Sequence, residues 1–169
     1  MKRLIAVIVV GLFMVCPVLL FAAAGTTTAT CSNILGGTTR TITYSWTGDT
    51  SSGAITSLAS GSITCPGGNT GTSYVQGYYL CGIETSTTAA KRPTDDYDLY
   101  LYDSLTNDLL GGAGLNRDSN STEYATPVIL SGSTTGMGCR YVTGAFTFSG
   151  SGNSAASAAG TTTFFFSKP

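Results

Sequence analysis

Histidine is absent from this 169-residue chain, and that absence removes several chemistries at once. A Ser-His-Asp or Cys-His nucleophile needs an imidazole to take up a proton near neutral pH, so neither arrangement is available. Charge is scarce as well: only 10% of the residues are Asp, Glu, Lys or Arg, against about a quarter in an average soluble domain. Eight basic residues against nine acidic ones leave a net charge of −1, and without Lys2 and Arg3 the balance becomes six against nine, or −3. No basic stripe exists to neutralise phosphates, which argues against a nucleic-acid partner. Paired Cys-x-x-Cys or His ligands of the zinc type are also missing. Past the N-terminus, no stretch repeats apolar residues at i, i+3, i+4 and i+7 between capping signals, so long helices are not expected.

What is present begins with an export signal. Lys2 and Arg3 form a basic start, an apolar run covers residues 4–21, and Ala22-Ala23-Ala24 offers a small-residue cleavage site before Gly25. Residues 1–24 are therefore read as a signal helix, and residues 25–169 as one domain. Left uncleaved, the same run approaches the roughly 20 apolar residues that cross a bilayer, so membrane contact is expected only through this segment. Cys16 lies inside it, without the small neighbour that a lipid-attachment site requires. Four cysteines remain beyond it: Cys31, Cys65, Cys81 and Cys139. An even number in an exported chain reads as two disulfides formed in an oxidising compartment, periplasmic, extracellular or at the cell surface. Three pairings are possible. The favoured one joins Cys65 to Cys81 across a short hairpin and Cys31 to Cys139 between the N-terminal segment and a late strand.

Between clusters of Gly, Ser, Asn and Pro, the chain alternates with period two. Residues 41–46 set Ile42, Tyr44 and Trp46 on one face, and residues 54–64 and 73–83 read as further strands. The clearest strand is 97–102. It sends Tyr97, Leu99 and Leu101 one way and Asp98, Tyr100 and Tyr102 the other. Segments 108–110, 127–130, 140–148 and 161–166 complete about seven or eight strands, the number expected of an antiparallel β-sandwich or jelly roll. Trp46, Leu99, Leu101, Phe146 and Phe148 are the expected core.

Two features bear on chemistry. Asp95, Asp96, Asp98 and Asp103 cluster around the 97–102 strand, and hard cations such as Ca2+ take several oxygen ligands. Aspartates before a strand also form turns by bonding their own backbone, and the spacing is not that of an EF-hand loop. The tyrosines Tyr74, Tyr78, Tyr79, Tyr100 and Tyr102 suggest a platform for a glycan or a protein partner. Tyr100 and Tyr102 are the best exposed, because they oppose Leu99 and Leu101. Cross-strand packing is the competing account of the same rings. Asn120-Ser121-Thr122 matches an N-glycosylation acceptor, relevant in a eukaryotic host. The run 111–114 (GGAG) lacks the Lys and Ser/Thr of a phosphate loop and reads as a tight connection.

The segments 93–102 (PTDDYDLYLY), 108–118 (DLLGGAGLNRD) and 121–123 (STE) resemble, in order, a small family of β-sandwich proteins encoded among the virion structural genes of tailed bacteriophages. The opening 42–46 (ITYSW), the stretch 146–153 (FTFSGSGN) and the closing strand 161–166 resemble it too. That resemblance covers most of the chain after the signal and implies a particle-associated β-sandwich with no enzymatic role. A shorter stretch, 97–103 (YDLYLYD), is similar to the central strand of bacterial pre-peptidase C-terminal domains. This second likeness implies a secreted jelly roll, of which some members bind calcium or polysaccharide. Taken together, the expectation is an exported, non-enzymatic structural or interaction β-sandwich that meets protein partners or self-assembles. The alternative is a secreted calcium- or glycan-binding module.

Overall fold

The computed structural model describes residues 23–131 and 134–169; the signal helix expected over residues 1–24 lies almost wholly outside them. Thirteen strands and one short helix follow in chain order among the described residues. The first part runs β1 (Thr26–Ile34), β2 (Thr39–Thr47), β3 (Leu58–Ala59), β4 (Thr64–Cys65), β5 (Asn69–Thr70) and α1 (Gly71–Val75). Then come β6 (Tyr79–Thr87), β7 (Asp98–Asp103), β8 (Glu123–Ala125), β9 (Val128–Ser131) and β10 (Thr134–Met137). Last are β11 (Arg140–Tyr141), β12 (Phe146–Ser151) and β13 (Ala159–Ser167). A six-stranded antiparallel sheet has the order β1-β2-β13-β6-β11, with β8 also pairing β6. A three-stranded sheet, β3-β12-β7, forms the second layer, and β4-β5 and β9-β10 are separate two-stranded ribbons. The expected all-β sandwich is what forms.

Alternation explains which side chains meet between the layers. Ile42, Tyr44 and Trp46 of β2 and Phe164 and Phe166 of β13 are buried from the large sheet. Leu99 and Leu101 of β7 and Phe146 and Phe148 of β12 are buried from the small one. All five expected core residues are therefore in place. Tyr44 stacks on Phe148 across the gap at 4.5 Å between centroids and meets Phe164, from the adjacent strand of its own sheet, edge-on at 5.7 Å. Such pairs add roughly 0.5–1.5 kcal/mol beyond their buried area. In β6 the period slips, because Leu80 and Ile83 both face inward although three residues apart. The register against β13 supplies the reason. Phe165 pairs Gly82 while Phe166 pairs Leu80, so Cys81 is an extra residue in a bulge.

Three sequence expectations need correction. Residues 73–83 are not one strand: Thr70 caps Ser73 in a capping box, so residues 71–75 coil into α1 before β6 begins. Residues 54–64 supply only the two-residue β3 and the start of β4. Residues 108–110 form turns with one isolated bridge from Asp108 to Tyr102 rather than a return strand. Conversely, β1 was not legible, since its residues Thr-Thr-Thr-Ala-Thr-Cys-Ser-Asn-Ile show little apolar contrast.

The favoured disulfide pairing is overturned. Cys31 joins Cys65 and Cys81 joins Cys139. Strand order is the reason: β1 and β6 stand two strands apart, with β2 and β13 between them. Cys31 instead lies above the β4-β5 ribbon. Cys139 immediately precedes β11, whose register sets Arg140 against Leu80 and so brings Cys139 beside Cys81. Both pairs fit the oxidising, exported environment inferred from the sequence.

Candidate binding surface

Because β7 buries Leu99 and Leu101, in step with Tyr97 just before it, its other face carries Asp98, Tyr100 and Tyr102 to the outside of the small sheet. The two tyrosine rings stack nearly parallel, 5.1 Å apart at 11°. Tyr100 Oη donates to Asp98 Oδ2 at 3.3 Å. The neighbouring strand β12 sets Thr147 opposite Tyr102, Ser149 opposite Tyr100 and Ser151 opposite Asp98. Ser57, just before β3, donates to Ser149 Oγ at 3.0 Å. A paired aromatic ridge is thus bordered by a row of hydroxyls, with a carboxylate at one end. At the other end is an open depression of about 670 Å³, lined by Tyr102, Asp103, Ser104, Thr106 and Thr147. Partial burial, then the neighbouring Tyr100, Asp108 and Asp98, push the pKa of the Tyr102 hydroxyl above its ordinary value.

The rim of that depression is held firmly. Asp103 Oδ1 accepts from Leu105 N and Asn107 N, both at 2.9 Å, and Asn107 Nδ2 donates to Asp103 Oδ2 at 3.0 Å. These bonds, the Asn107 side chain foremost, lower the Asp103 pKa. They also fix Thr106 at φ 64°, a left-handed backbone that a β-branched residue adopts only when its surroundings compel it.

The Asp95, Asp96, Asp98 and Asp103 cluster is not gathered into one site. Asp95 Oδ1 accepts from Ser119 N, Asp98 Oδ1 from Asn116 N, and Asp103 closes its own loop. Asp96 is exposed and turns the chain at φ 62°. Among the described residues, no group of three or more His, Cys, Asp or Glu is placed to hold a metal ion. Three of the four carboxylates accept from backbone amides at separate places, those of Asp95 and Asp98 from distant segments and that of Asp103 within its own turn.

Nor does the wider tyrosine platform hold together. Tyr74 and Tyr78 are buried, and the Arg40 guanidinium lies between their rings, 4.6 and 4.5 Å from the centroids. Tyr79 packs on Tyr141 at 5.2 Å, on the large sheet. Of these five tyrosines, Tyr100 and Tyr102 remain together as a pair on the outer side of the small sheet. The hydroxyl row of Thr147 and Ser149 was missed. Its signal, the outward positions of FTFSGS beside inward Phe146 and Phe148, becomes useful only once β12 is known to pair with β7.

A second concavity, about 490 Å³, opens on the outer side of the large sheet. Gly82 and Phe165 form its floor, and Tyr124 and Met137, 72% and 82% exposed, stand at its sides. Of its side chains only Thr126 and Tyr124 carry a polar atom, too few to orient a polar ligand. Among the described residues no helix is long and apolar enough to cross a membrane. No family model, curated protein or solved structure matches the chain.

Proposed function

We propose that this protein is a non-enzymatic, exported interaction β-sandwich that holds a glycan on the Tyr100–Tyr102 face. The stacked tyrosine pair beside a row of hydroxyls carries this reading. A sugar ring presents C–H groups on its faces and hydroxyls at its rim. It therefore suits an aromatic surface flanked by Thr147, Ser149 and Asp98, where polar groups fix orientation and rings supply contact area. The face belongs to a paired, disulfide-tied scaffold, so little ordering entropy is lost on binding. Periplasmic, extracellular or cell-surface placement is supported by the export signal read in residues 1–24 and by the two disulfides.

A glycan array followed by calorimetry tests the reading. Binding is expected for the native protein and a loss of at least about tenfold for the Tyr100→Ala/Tyr102→Ala variant. An empty array, or unchanged affinity in the variant, rejects it. The ordered resemblance to tailed-phage virion proteins favours a second reading, a particle-associated structural role. Mass spectrometry of purified particles or filaments from the source would reveal the chain among their components, and its consistent absence would remove that reading.

A further inference from the structure

Every sheet edge exposes unpaired N–H and C=O groups, and proteins ordinarily shorten, cover, charge or kink such an edge. Most edges of this sandwich follow that rule. β3 and β11, at the ends of their sheets, have two residues each. The open side of β7 is covered by the segment 108–117, through Leu109 N to Leu101 O, Leu99 N to Gly114 O and Arg117 N to Tyr97 O, all 2.8 Å. β1 is different. It terminates the large sheet with nine residues in unbroken register against β2, without a bulge, a proline or a charged side chain. Among the described residues no backbone hydrogen bond reaches it except from β2. Its inward residues Ala29 and Cys31 pack on the core, while Thr26, Thr28, Thr30 and Ser32 are exposed.

We propose that a second copy of this chain adds at this edge, β1 against β1 in antiparallel register about a two-fold axis at Thr30, so that two sandwiches share one continuous sheet. Full overlap of Thr26–Ile34 with itself determines the register: Thr30 faces its own counterpart, Thr28 faces Ser32, and Ala29 faces Cys31. An isologous pairing sets each residue of the edge against the same strand. A charged strand would therefore meet its own charges, and this strand has none. Instead the centre of the outward face sets hydroxyl against hydroxyl, Thr30 with Thr30 and Thr28 with Ser32, a favourable cross-strand combination, while Thr26 meets Ile34 at each end. The Cys31–Cys65 bridge holds the strand in place from beneath, so the edge is presented already formed. β1 belongs to the layer opposite the Tyr100–Tyr102 face, so this inference does not depend on the glycan reading. Pairing would leave both tyrosine faces open and give a bivalent particle.

Sedimentation velocity of the protein purified from its native compartment, up to about 1 mM, is the experiment. A concentration-dependent dimer is expected, with β1 amides exchanging more slowly as it forms. Thr30→Lys and Thr30→Glu should each weaken self-association by roughly tenfold or more, since like charges would face each other across the axis. An equimolar mixture of the two variants should dimerise again. Recovery on mixing separates a lost contact from a lost fold, and circular dichroism of each variant checks the fold directly. A monomer at every concentration, a Thr30→Lys dimer as tight as the native one, or folded variants that fail to recover on mixing would each overturn the proposal.

Discussion

Replacing cysteines in pairs tests the connectivity and its energetic weight together. The Cys31–Cys65 bridge closes a loop of sequence separation 34, and Cys81–Cys139 one of 58. A cross-link stabilises chiefly by restricting the unfolded chain, and the restriction grows only with the logarithm of loop length. The loop-entropy relation gives about 4 kcal/mol for either bridge at 25 °C. The matched variants Cys31→Ala/Cys65→Ala and Cys81→Ala/Cys139→Ala should then lose similar stability, about 10–20 °C in thermal midpoint for a domain of this size. The mismatched variant Cys65→Ala/Cys81→Ala breaks both bridges and strands Cys31 and Cys139 near opposite sides of the large sheet. It should lose about twice as much and expose two reactive thiols, whereas each matched variant exposes none (apart from Cys16 wherever the N-terminal segment is retained). Thiol titration under denaturing conditions, with calorimetry of the three proteins, reads both quantities. A mismatched variant with no new thiol would refute the strand-order argument. A matched variant as stable as the native protein would refute the entropy estimate.

Four further outcomes rest on particular contacts. Buried Asn153 donates to Gly53 O at 2.6 Å and accepts from Thr94 N at 3.0 Å and Ala155 N at 3.1 Å, joining three loops. Asn153→Ala should cost about 1–3 kcal/mol in denaturant unfolding by leaving those groups unpaired, and a neutral result would mean water replaces the amide. Gly114 lies so close to β7 that an added Cβ would stand 2.1 Å from Leu99 O. Gly114→Ala should therefore lift the segment that covers this edge, at a cost of about 1–3 kcal/mol, and speed exchange of the Leu99 amide. The carboxylates of Asp49, Asp103 and Asp118 are held below their ordinary pKa, foremost by hydrogen bonds from Ser51, Asn107 and Ser121 respectively. A pKa depressed on folding gives stability that is complete above the unfolded value near 4 and disappears as pH falls through the folded one. The thermal midpoint should thus fall below about pH 4, and less so in the triple Asn variant; parallel curves would contradict this. At the other extreme, burial pushes Tyr97 up to about 12, so stability present below about pH 10 should decline above it.

Much of the fold was legible because its strands alternate strongly. In 97–102 every second side chain is apolar, so the faces of β7, and with them the exposure of Tyr100 and Tyr102, follow from the order of residues alone. β2 is legible for the same reason, whereas β13, three threonines followed by three phenylalanines, reads as extended without marking its faces. Where the pattern is broken or weak, reading along the chain failed. The bulge at Cys81 changes the period within β6, and the Thr70–Ser73 capping box coils residues 71–75 although 73–83 read as one long strand. Four of the nine residues of β1 are threonine, and nothing in its composition marks an inner or an outer face. Tyr74 and Tyr78 resemble surface rings until Arg40 is seen between them.

By itself the sequence determined the class: a disulfide-competent all-β chain with no imidazole, few charges and a clear inner and outer face on its strongest strand. Those are local or compositional properties, set by residue chemistry and by the two-residue period of extended backbone. Tertiary structure alone decided which cysteines meet, which hydroxyls border the tyrosine pair, why the aspartates serve backbone amides separately, and which edge is left open. Each of these depends on strand order and register between segments tens of residues apart. Such distances are set by how the layers pack and by which edges they cover.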